Sequence, residues 1–457
     1  MAQRDYKFIS STLGICPSCM KTIPAKIINK NNSIYLLKYC KQHGQQIELL
    51  EEDADFYNKR HLYNKPSTPS KTQTKINKGC PFDCGLCPDH EQHTCIGLIE
   101  ITSACDLKCP ICYANAAQNT FISLKKIEEM MDFFQDSESG KAEILQISGG
   151  EPTTHPDIIK ILELAKSKKF KYLILNTNGL RIANDLNFVK ELSQLNGGFE
   201  IYLQFDGFDS KTYSHLRGKD LSGIKQKAIE NLANYKIPIT LVATIEKGVN
   251  EHELGKLIEF GIKTKYIRGI NFQPIAFFGK MKNTHNIKQR ITLTGIINLI
   301  EKQTNGMLKK SDFVSLPCNI DRVAITYLYR SKEEFVPITR YLDVKNYLQV
   351  IDNTFAFDAE GIMKRAKENE SCCDLSGFFK AMTHFITPYF LLKSEKEKID
   401  FVDEKTFRIS ITSFLDAYNF DMTSIKRECV HIITPDLKRI PFSSYNMLYR
   451  KEYAKHN

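Results

Sequence analysis

The chain has 457 residues, of which 42% are hydrophobic and 25% are charged. These proportions are those of an ordinary globular protein and exclude disordered, collagen-like and coiled-coil classes, while the length indicates about two or three structural units. A formal net charge of +10 favours acidic partners, whether an acidic redox protein, an anionic lipid surface or a nucleic acid.

The sequence indicates neither a membrane helix nor a secretory signal. No run reaches the roughly 18 to 20 apolar residues of a membrane helix, and residues 1–10 carry Arg4, Asp5 and Lys7 where a signal peptide would have an apolar core. We therefore predict a cytoplasmic location. In a reducing compartment, 14 cysteines arranged in short, regularly spaced groups indicate metal sites and not disulfides.

Residues 1–62 are predicted to form a small metal-binding unit of rubredoxin-like or zinc-ribbon-like type. Cys16 and Cys19 form a Cys-x2-Cys pair, and Cys40 and His43 form a second pair further along the chain. Two such pairs suit one tetrahedral ion, and the spacing does not separate zinc from mononuclear iron. We favour a structural role for this ion over a redox role.

Residues 63–95 are predicted to form a linker followed by an auxiliary iron–sulfur loop. The linker is the Pro-, Ser-, Thr- and Lys-rich stretch 64–78, which has no apolar period. Four cysteines after it would close a [4Fe–4S] cluster suited to electron relay or to anchoring a substrate, namely Cys80, Cys84, Cys87 and Cys95. A structural zinc held by the same residues is the alternative. His90 and His93 lie inside this loop and are interpreted as loop residues.

From residue 96 onward, short apolar runs alternate with helical patterns, which predicts parallel βα units. The strand candidates are Ile96–Thr102, Ala142–Ser148, Tyr172–Asn176, Glu200–Phe205, Ile239–Ile245 and Gly269–Pro274. The helix candidates have apolar residues every three or four positions and are Leu124–Gln135, Ile158–Lys166, Phe188–Leu195, Ile224–Asn234, Glu253–Glu259 and Leu293–Lys302. Six units predict an α/β fold with an incomplete (β/α)6 TIM-like barrel over residues 96–290.

A group of three cysteines follows the first barrel strand, at Cys105, Cys109 and Cys112, with Tyr113 next to the last. A [4Fe–4S] cluster held by protein alone takes four thiolates, so three ligands would leave one iron open to a substrate or cofactor. The loop after a strand of a parallel barrel opens on its C-terminal face, where such folds place their active sites. Structural zinc suits this group badly because no second ligand pair follows.

A second motif, Gly149-Gly150-Glu151-Pro152, follows the next strand candidate. Adjacent glycines allow a sharp bend and a close approach to a ligand, and a carboxylate can accept from an amino group. With this turn one βα unit after the three-cysteine loop, the chain resembles the radical S-adenosylmethionine (SAM) superfamily. The resemblance implies that SAM binds the open iron and is cleaved by one electron to a 5′-deoxyadenosyl radical, which abstracts hydrogen from a substrate.

The same resemblance implies the contacts of the cofactor. Cys105, Cys109 and Cys112 would be the catalytic cluster ligands, and the turn from Gly149 to Glu151 would hold the SAM amino group. Arg217 would pair with the SAM carboxylate through its planar fork. The remaining predicted cofactor-binding residues are Tyr113 and Pro152, together with Asn178, Gln204 and Asp206, which would face the ribose region.

Over nearly its whole length the chain resembles the group that contains archaeal tetraether lipid synthase and the radical SAM pterin methyltransferases. The resemblance includes the N-terminal Cys/His unit, the cysteine-rich loop and the end of a C-terminal α+β extension predicted over residues 291–457. Members of the group carry a further auxiliary cluster, but residues 319–323 and 441–446 lack two of the expected cysteines. Whether a cluster still forms is left open for the thiols that remain, which are Cys318, Cys372, Cys373 and Cys429.

This group resemblance implies radical attack on an unactivated sp3 carbon. We predict C–C bond formation or alkylation on a lipid-like substrate, with C-methylation of a pterin-like small molecule as the alternative. The apolar stretch Phe378–Leu392 is interpreted as a core helix with a kink or break, or else as the wall of an apolar substrate channel or a membrane-facing helix. A roomy pocket lined by this stretch would favour a lipid, and a compact polar pocket would favour a pterin.

A third hypothesis is a metal-stapled nucleic-acid-binding protein, supported by the net charge and by a basic C-terminal end. We disfavour it because nucleic-acid binding does not explain the three-cysteine loop or the glycine turn. The expected partners are an acidic electron donor such as ferredoxin or flavodoxin and a small-molecule or lipid substrate, while peripheral membrane contact stays open.

Overall fold

The computed structural model describes residues 4–114, 119–168, 170–195, 197–281, 289–331, 334–349, 351, 353–355 and 405–453. Within these ranges the chain forms a four-stranded sheet at its N-terminus and a twelve-stranded mixed sheet. The apolar stretch Phe378–Leu392, together with Cys372 and Cys373, lies outside the described residues.

The N-terminal sheet is an antiparallel meander in which each strand pairs with the next along the chain. Alternate side chains of its strands point into a small core that includes Ile27, Ile34 and Leu36. Its elements are β1 (Lys7–Ile15), β2 (Thr22–Lys30), β3 (Ser33–Cys40), β4 (Gly44–Glu51) and α1 (Ala54–Lys59).

Six parallel strands form the barrel, and each is hydrogen-bonded to the next in chain order. They are β5 (Ile96–Glu100), β6 (Ile144–Ser148), β7 (Tyr172–Thr177), β8 (Phe199–Gln204), β9 (Ile239–Ile245) and β10 (Ile267–Pro274). The predicted incomplete (β/α)6 barrel is confirmed. The first predicted strand ends earlier than expected, because Thr102 leaves the parallel ladder and bridges Phe121.

Helices that follow the strands bury one apolar face against the sheet. They are α2 (Leu124–Ser137), α3 (Ile158–Ser167), α4 (Leu180–Asn184), α5 (Leu186–Leu192), α6 (Ser210–Arg217), α7 (Ser222–Asn234), α8 (Leu254–Lys263) and α9 (Leu293–Gln303). In α2, Ile127, Met131 and Phe134 follow the helical period and are fully buried. Phe134 packs over Gly97 of β5, where a Cβ atom would lie 2.4 Å from its ring.

The C-terminal extension continues the barrel sheet at both edges. Its strands are β11 (Val314–Leu316), β12 (Asn319–Ser331), β13 (Glu334–Pro337), β14 (Thr406–Thr412), β15 (Val430–Ile433) and β16 (Arg439–Pro441). β14 pairs in parallel with β10, and β15 pairs in parallel with β5, so eight parallel strands stand side by side. The boundary predicted near residue 290 therefore separates segments that share one sheet.

Short helices complete the described part of the extension. They are α10 (Met422–Ile425), α11 (Phe442–Ser444) and α12 (Arg450–Tyr453), with a π-helical turn over Tyr445–Tyr449 between the last two. Asp421 caps α10 by accepting from the backbone N–H groups of Thr423 and Ser424. Within the part of the chain that the structure describes, no helix is long and apolar enough to cross a membrane.

The N-terminal sheet docks on the loop that follows β14. Nζ of the buried Lys38 donates to the carbonyl oxygens of Ile15, Ala417 and Tyr418 at 2.9, 2.9 and 2.7 Å. Burial lowers the pKa of Lys38 to about 8. Beside it the buried Arg290 guanidinium pairs with Asp416, at 3.0 and 2.9 Å from its two carboxylate oxygens, and with Glu48.

Candidate active site

A cavity of about 210 Å³ opens at the C-terminal ends of the barrel strands. Strands β6 to β10 and the loop after β5 all contribute to its wall, as expected for a parallel barrel. Eleven of the twelve residues predicted to bind the first cluster or SAM line it, namely Cys105, Cys109, Cys112, Tyr113, Gly149, Gly150, Glu151, Pro152, Asn178, Gln204 and Arg217. The exception is Asp206.

The glycine turn after β6 packs directly against the loop after β5. Gly150 and Glu151 donate their backbone N–H groups to the carbonyl oxygens of Thr102 and Ala104, each at 2.8 Å. A Cβ atom on Gly149 would lie 2.4 Å from the Thr102 oxygen, and one on Gly150 would lie 2.3 Å from the Ala104 oxygen. Only glycine fits at either position, because a Cβ atom would clash with these backbone atoms. Gly149 also has a φ of 147°, a backbone conformation that favours glycine.

The Glu151 carboxylate is fully buried and accepts four hydrogen bonds. Oε1 accepts from the backbone N–H and the hydroxyl of Thr153, at 3.1 and 2.6 Å, and from the Thr177 hydroxyl at 2.8 Å. Oε2 accepts from the Asn178 backbone N–H at 2.7 Å. Burial raises the pKa of Glu151, and these hydrogen bonds oppose the rise. The carboxylate thus joins the loops after β6 and β7.

The three thiols of the loop after β5 share this cavity, and within the described ranges no fourth cysteine lines it. Burial raises the pKa of Cys105 to about 12 and also raises the pKa of Cys109, although the Arg217 guanidinium opposes the rise at Cys109. Neutral thiols of this kind become thiolates when a metal binds. The donor set fits an iron–sulfur cluster with one iron left open to another ligand.

Arg217 and Asp206 form a bidentate ion pair behind the cavity wall. Nε and Nη2 of Arg217 donate to the two carboxylate oxygens at 2.7 and 2.6 Å, and Nη2 also donates to the Thr244 hydroxyl at 2.9 Å. Asp206 is completely buried and does not line the cavity. The sequence analysis placed Asp206 at the SAM ribose, and the structure instead places it where it orients Arg217.

Lys225 is a buried residue, hydrogen-bonded to two residues of the cavity wall, that the sequence analysis missed. Its buried Nζ donates to the Asn178 carbonyl oxygen at 2.5 Å and to Oε1 of Gln204 at 3.2 Å, and burial lowers its pKa to about 8. The Asn178 side chain donates to Asp106 at 2.6 Å, next to the cluster loop. A lysine within the amphipathic helix α7 gave no signal of this role, because lysine is common on helix surfaces.

The second cysteine group lies apart from the first. Cys80, Cys84 and Cys87 line a small cavity together with Asp89 and His90. Burial raises the pKa of Cys84 to about 12, and the Cys84 thiol donates to the Pro81 carbonyl oxygen at 3.1 Å.

The prediction that Cys95 completes this second group is wrong. The sulfur atom of Cys95 lies within 4.8 Å of those of Cys318 and Cys429, and Cys95 does not line the small cavity. The reason is topological: Cys95 immediately precedes β5 and Cys429 immediately precedes the neighbouring β15, and their backbones are hydrogen-bonded at 2.9 Å. Two of the four thiols considered for a further cluster, Cys318 and Cys429, do meet.

The predicted N-terminal ligands come together. The ligand atoms of Cys16, Cys19, Cys40 and His43 all lie within 4.8 Å of one another. Nδ1 of His43 is 3.5 Å from the sulfur atoms of Cys16 and Cys40, and the sulfur atoms of Cys19 and Cys40 are 3.9 Å apart. These separations fit one tetrahedral ion.

A second cavity, of about 150 Å³, occupies the barrel interior beneath the first. We call it the lumen cavity. Tyr113, Gln146, Asn176, Tyr202 and Gln273 line both cavities, which are therefore adjacent. Sequence analysis overlooked its polar residues, although Gln146 stands between apolar residues in the buried strand ILQIS.

Comparisons with known proteins agree with this site. Residues 99–261 match the family model of the radical SAM superfamily, so the class is that of radical SAM enzymes, which use a [4Fe–4S] cluster and SAM. Residues 8–52 match the model described as the HMPTM N-terminal zinc ribbon domain. The 7,8-dihydro-6-hydroxymethylpterin dimethyltransferase of Methanocaldococcus jannaschii is 34% identical over 96% of this chain and 94% of its own length. The chain belongs to the radical SAM family that contains this protein.

Other relatives match a smaller share of the chain. The probable GTP 3′,8-cyclase of Methanothermobacter thermautotrophicus is 26% identical over 35% of this chain and 52% of its own. Streptococcus suis SuiB bound to S-adenosylmethionine, a solved structure, is 21% identical with a TM-score of 0.39, covering 48% of each chain. Because the family is enzymatic, the nucleic-acid-binding alternative is set aside.

Proposed function

We propose that this enzyme methylates carbon on a pterin-like small molecule. The observation that carries the proposal is the lumen cavity, which is compact, has amide and aromatic side chains among its aliphatic lining, and is adjacent to the cavity of the cluster cysteines. The relation to a protein named as a pterin dimethyltransferase supports it. The lipid-like substrate predicted first has no such support, and the stretch Phe378–Leu392 that would have lined its channel lies outside the described residues.

Amide side chains at the upper end of the lumen cavity match the edge of a fused nitrogen heterocycle. Nε2 of Gln146 donates to Oδ1 of Asn176 at 2.5 Å, and the Ser410 hydroxyl donates to Oδ1 of Asn271 at 3.2 Å. An amide offers both a donor and an acceptor, as do the ring amide and amino groups of a pterin. Tyr202 of β8 lines the same cavity, and its ring offers a face on which a heterocycle can stack.

A charged pair lines the lumen cavity, which disfavours an acyl chain. Nη2 of Arg408 lies 3.6 Å from Oε2 of Glu200 and donates to the Thr240 hydroxyl at 3.1 Å. A carboxylate accepts well from the amino group and ring N–H of an aminopyrimidine ring. An apolar chain in the same space would desolvate these charges without replacing their hydrogen bonds.

We assign the cofactor contacts as follows. Cys105, Cys109 and Cys112 would hold the cluster, and when bound the cluster and SAM supply hydrogen-abstracting radical chemistry. The turn at Glu151 would receive the SAM amino group, and Arg217, oriented by Asp206, would face its carboxylate. Asn178 and Gln204, both held by Lys225, would bind the ribose region, and Tyr113 and Pro152 would complete the wall.

Electron supply is a separate element of the proposal. Cys80, Cys84 and Cys87 would hold three irons of an auxiliary cluster, which can relay electrons, and the fourth iron would take a ligand other than Cys95. The net charge of +10 favours docking of an acidic donor such as ferredoxin or flavodoxin. We expect reduction by such a donor to slow steeply as ionic strength rises, because steering between unlike charges is screened by salt.

Turnover of reconstituted, anaerobic protein with dithionite and SAM tests the proposal. With 7,8-dihydro-6-hydroxymethylpterin as the probe and dithionite supplying two electrons per methyl group, one SAM should yield 5′-deoxyadenosine and methionine. A second SAM, as methyl donor, should yield S-adenosylhomocysteine and a product heavier by one or more methyl groups in mass spectra. Gln146→Leu should lower methylation about tenfold or more while SAM cleavage continues, because an amide contact to the substrate is lost. Efficient alkylation of a saturated lipid, with the pterin unchanged, would contradict the proposal.

A triple variant tests the cluster assignment on its own. Replacing Cys105, Cys109 and Cys112 by Ala should remove about four irons per chain and abolish 5′-deoxyadenosine formation, because one [4Fe–4S] cluster loses its ligands. Iron at the Cys80 group and metal at the N-terminal site should remain. Retained SAM cleavage in this variant would remove these residues from the site.

A further inference from the structure

The charged side chains that line the lumen cavity, within the part of the chain that the structure describes, are Glu200, Arg268 and Arg408. Along β8, Glu200 lines the lumen cavity alone, Tyr202 lines both cavities, and Gln204 lines the cavity of the cluster cysteines. At a rise of about 3.3 Å per residue, Glu200 and Gln204 are about 13 Å apart. Arg268 and Arg408 likewise precede the residues at the ends of β10 and β14 that line both cavities. The three charges therefore lie at the end away from the cluster cysteines, which we call the floor of the lumen cavity.

Thr240 holds two of these charges in place. Its hydroxyl donates to Oε1 of Glu200 and accepts from Nη2 of Arg408 at 3.1 Å. Nη2 of Arg408 stays 3.6 Å from Oε2 of Glu200, which is longer than a hydrogen bond. A carboxylate oxygen has two lone pairs, so Oε2 keeps the capacity to accept from a ligand.

A β-bulge in β10 brings the third charge to the floor. The ladder between β9 and β10 shifts register between Ile267 and Gly269, which makes Arg268 an extra residue in its strand. Asn271 and Gln273 also line the lumen cavity, and strict alternation from them would turn Arg268 to the other face of the sheet. The bulge thus directs a second guanidinium into the barrel interior.

Gly269 leaves space for the guanidinium of Arg408. Gly269 pairs with Thr240 on one side and with Arg408 on the other, so the three residues form one row across β9, β10 and β14. A Cβ atom on Gly269 would lie 2.5 Å from the carbonyl oxygen and 3.1 Å from the Cβ of Arg408. Because no side chain stands in the middle of this row, the Arg408 guanidinium reaches the Thr240 hydroxyl.

One carboxylate and two guanidinium groups complement the edge of a 2-amino-4-oxopyrimidine ring. That edge carries an amino group and a ring N–H side by side, and then a carbonyl oxygen. A carboxylate can accept from both donors at once, and a guanidinium donates to the carbonyl oxygen. A 2,4-dioxo ring in the same orientation would turn a carbonyl oxygen toward the carboxylate, which is repulsive.

From this arrangement we infer that Glu200 determines which substrate binds, by accepting from the amino group and ring N–H of a 2-amino-4-oxopyrimidine ring. Arg268 and Arg408 donate to the 4-oxo group of the same ring. The inference rests on the proposed function for the kind of molecule that enters the lumen cavity. It adds an orientation: the aminopyrimidine ring lies on the floor, and the second ring of the substrate points toward the cluster cysteines.

Equilibrium binding to reconstituted enzyme without a reductant tests the inference, because no turnover occurs. The probes are 7,8-dihydro-6-hydroxymethylpterin and 7,8-dihydro-6-hydroxymethyllumazine, in which an oxygen replaces the 2-amino group. We expect the wild type to bind the pterin about tenfold or more tightly than the lumazine, because a hydrogen bond to a charged group is lost. Equal affinity for the two probes would overturn the inference, and this comparison needs no variant.

Two variants separate the role of the carboxylate from that of the guanidinium groups. Glu200→Gln should weaken pterin binding about tenfold or more and let the lumazine bind at least as tightly as the pterin, because its amide can donate to a 2-oxo group. Arg268→Met should weaken both probes by the same factor, since both have the 4-oxo group. Glu259→Gln makes the same change on the exposed surface of α8 and should leave both affinities within twofold of the wild type. Equal weakening of both probes in Glu200→Gln would contradict the inference.

Guanosine separates this inference from the proposed function, because guanine has the same amino, N–H and carbonyl edge as a pterin. If guanosine binds more tightly than the pterin and loses affinity in Glu200→Gln, the inference is supported and the proposed function is wrong. If the pterin is methylated by an enzyme that binds the lumazine equally well, the proposed function stands and the inference is wrong.

Discussion

Asp206 holds Arg217 by both of its carboxylate oxygens, at 2.6 and 2.7 Å. Only the arginine of this pair lines the cavity that contains Cys105, Cys109 and Cys112, which we call the SAM cavity. Both side chains are buried, Asp206 completely. A buried charge is tolerated where its partner neutralises it, so the carboxylate permits a cation at the cavity wall. The pair fixes the direction of the guanidinium before any ligand binds.

Asp206→Asn should therefore weaken SAM binding, although Asp206 does not line the SAM cavity. The change leaves the Arg217 cation buried and unpaired, which costs about 3–5 kcal/mol of stability for a broken buried pair. We expect a lower thermal unfolding midpoint and weaker SAM binding in anaerobic calorimetry. The double variant Asp206→Leu/Arg217→Met removes both charges and should unfold closer to the wild type. Unchanged SAM affinity in Asp206→Asn would show that Arg217 does not contribute to SAM binding.

Glu151→Gln should weaken SAM binding through the loops that the carboxylate joins. One of its two oxygens becomes an NH2 group that cannot accept, so at least one of the donors from Thr153, Thr177 and Asn178 is left unsatisfied. A buried donor without a partner costs about 1–3 kcal/mol. If the whole cost falls on the SAM-binding conformation, SAM affinity drops roughly 5- to 150-fold. Titration of SAM under anaerobic conditions measures it. An affinity within a factor of two of the wild type would show that the loops do not depend on this carboxylate.

Gly150→Ala should displace the loop that carries Cys105. The new Cβ would meet the Ala104 carbonyl oxygen at 2.3 Å, and a backbone atom cannot give way as a flexible side chain can. We expect a lower iron content after reconstitution and little 5′-deoxyadenosine. Gly223→Ala in α7 is the matched control, since no atom lies within 4 Å of its added Cβ, and it should be neutral or stabilising by up to about 1 kcal/mol. Equal behaviour of the two variants would refute the steric argument.

Buried His90 predicts a loss of stability in acid. Nε2 of His90 donates to the Glu428 carbonyl oxygen at 2.9 Å, and burial lowers its pKa to about 4 from an ordinary 6.5. Because the unfolded chain binds this proton more readily, stability is lost as pH falls from 6.5 through 4, by about 3 kcal/mol. Thermal unfolding at several pH values measures the loss, with metal content checked at each. His90→Gln keeps a donor that does not titrate, so its curve should be flatter; an equally steep curve would assign the loss to other groups.

Cys40→Ser should remove the N-terminal ion and leave the iron content unchanged. The match of residues 8–52 to a zinc ribbon leads us to expect zinc in this site. The local effect should be large, because a small sheet of this kind relies on its ion for stability. Zinc and iron analysis, together with hydrogen exchange over β1 to β4, measures it. Iron instead of zinc in the wild-type site would favour the rubredoxin-like alternative.

The barrel and the first cluster loop could be predicted from the sequence because their signals are local. Each barrel strand is an apolar run, and the ligands Cys105, Cys109 and Cys112 lie within one loop. Cys95 was misassigned for the opposite reason. It is eight residues from Cys87 in sequence, but its neighbours in space come through the pairing of β5 with β15, which no local pattern contains.

The positions of the C-terminal strands and the Arg217 ion pair could not be predicted, for related reasons. β14, with the sequence TFRISIT, has an alternating pattern that predicts a strand but not its place beside β10. Arg217 was expected to face a carboxylate, and it does, but that carboxylate belongs to Asp206. A planar cation fits a protein carboxylate and a ligand carboxylate equally well, so residue type alone does not choose between them.

The burial of Lys38 bears on where the chain can be divided. Its ammonium group satisfies carbonyl oxygens at Ala417 and Tyr418, and Arg290 nearby ties Glu48 to Asp416. A shortened protein starting at residue 63 would expose those carbonyl groups and leave Arg290 and Asp416 without Glu48. We therefore expect the first fifty residues to fold together with the catalytic barrel, and soluble expression of the barrel should require them.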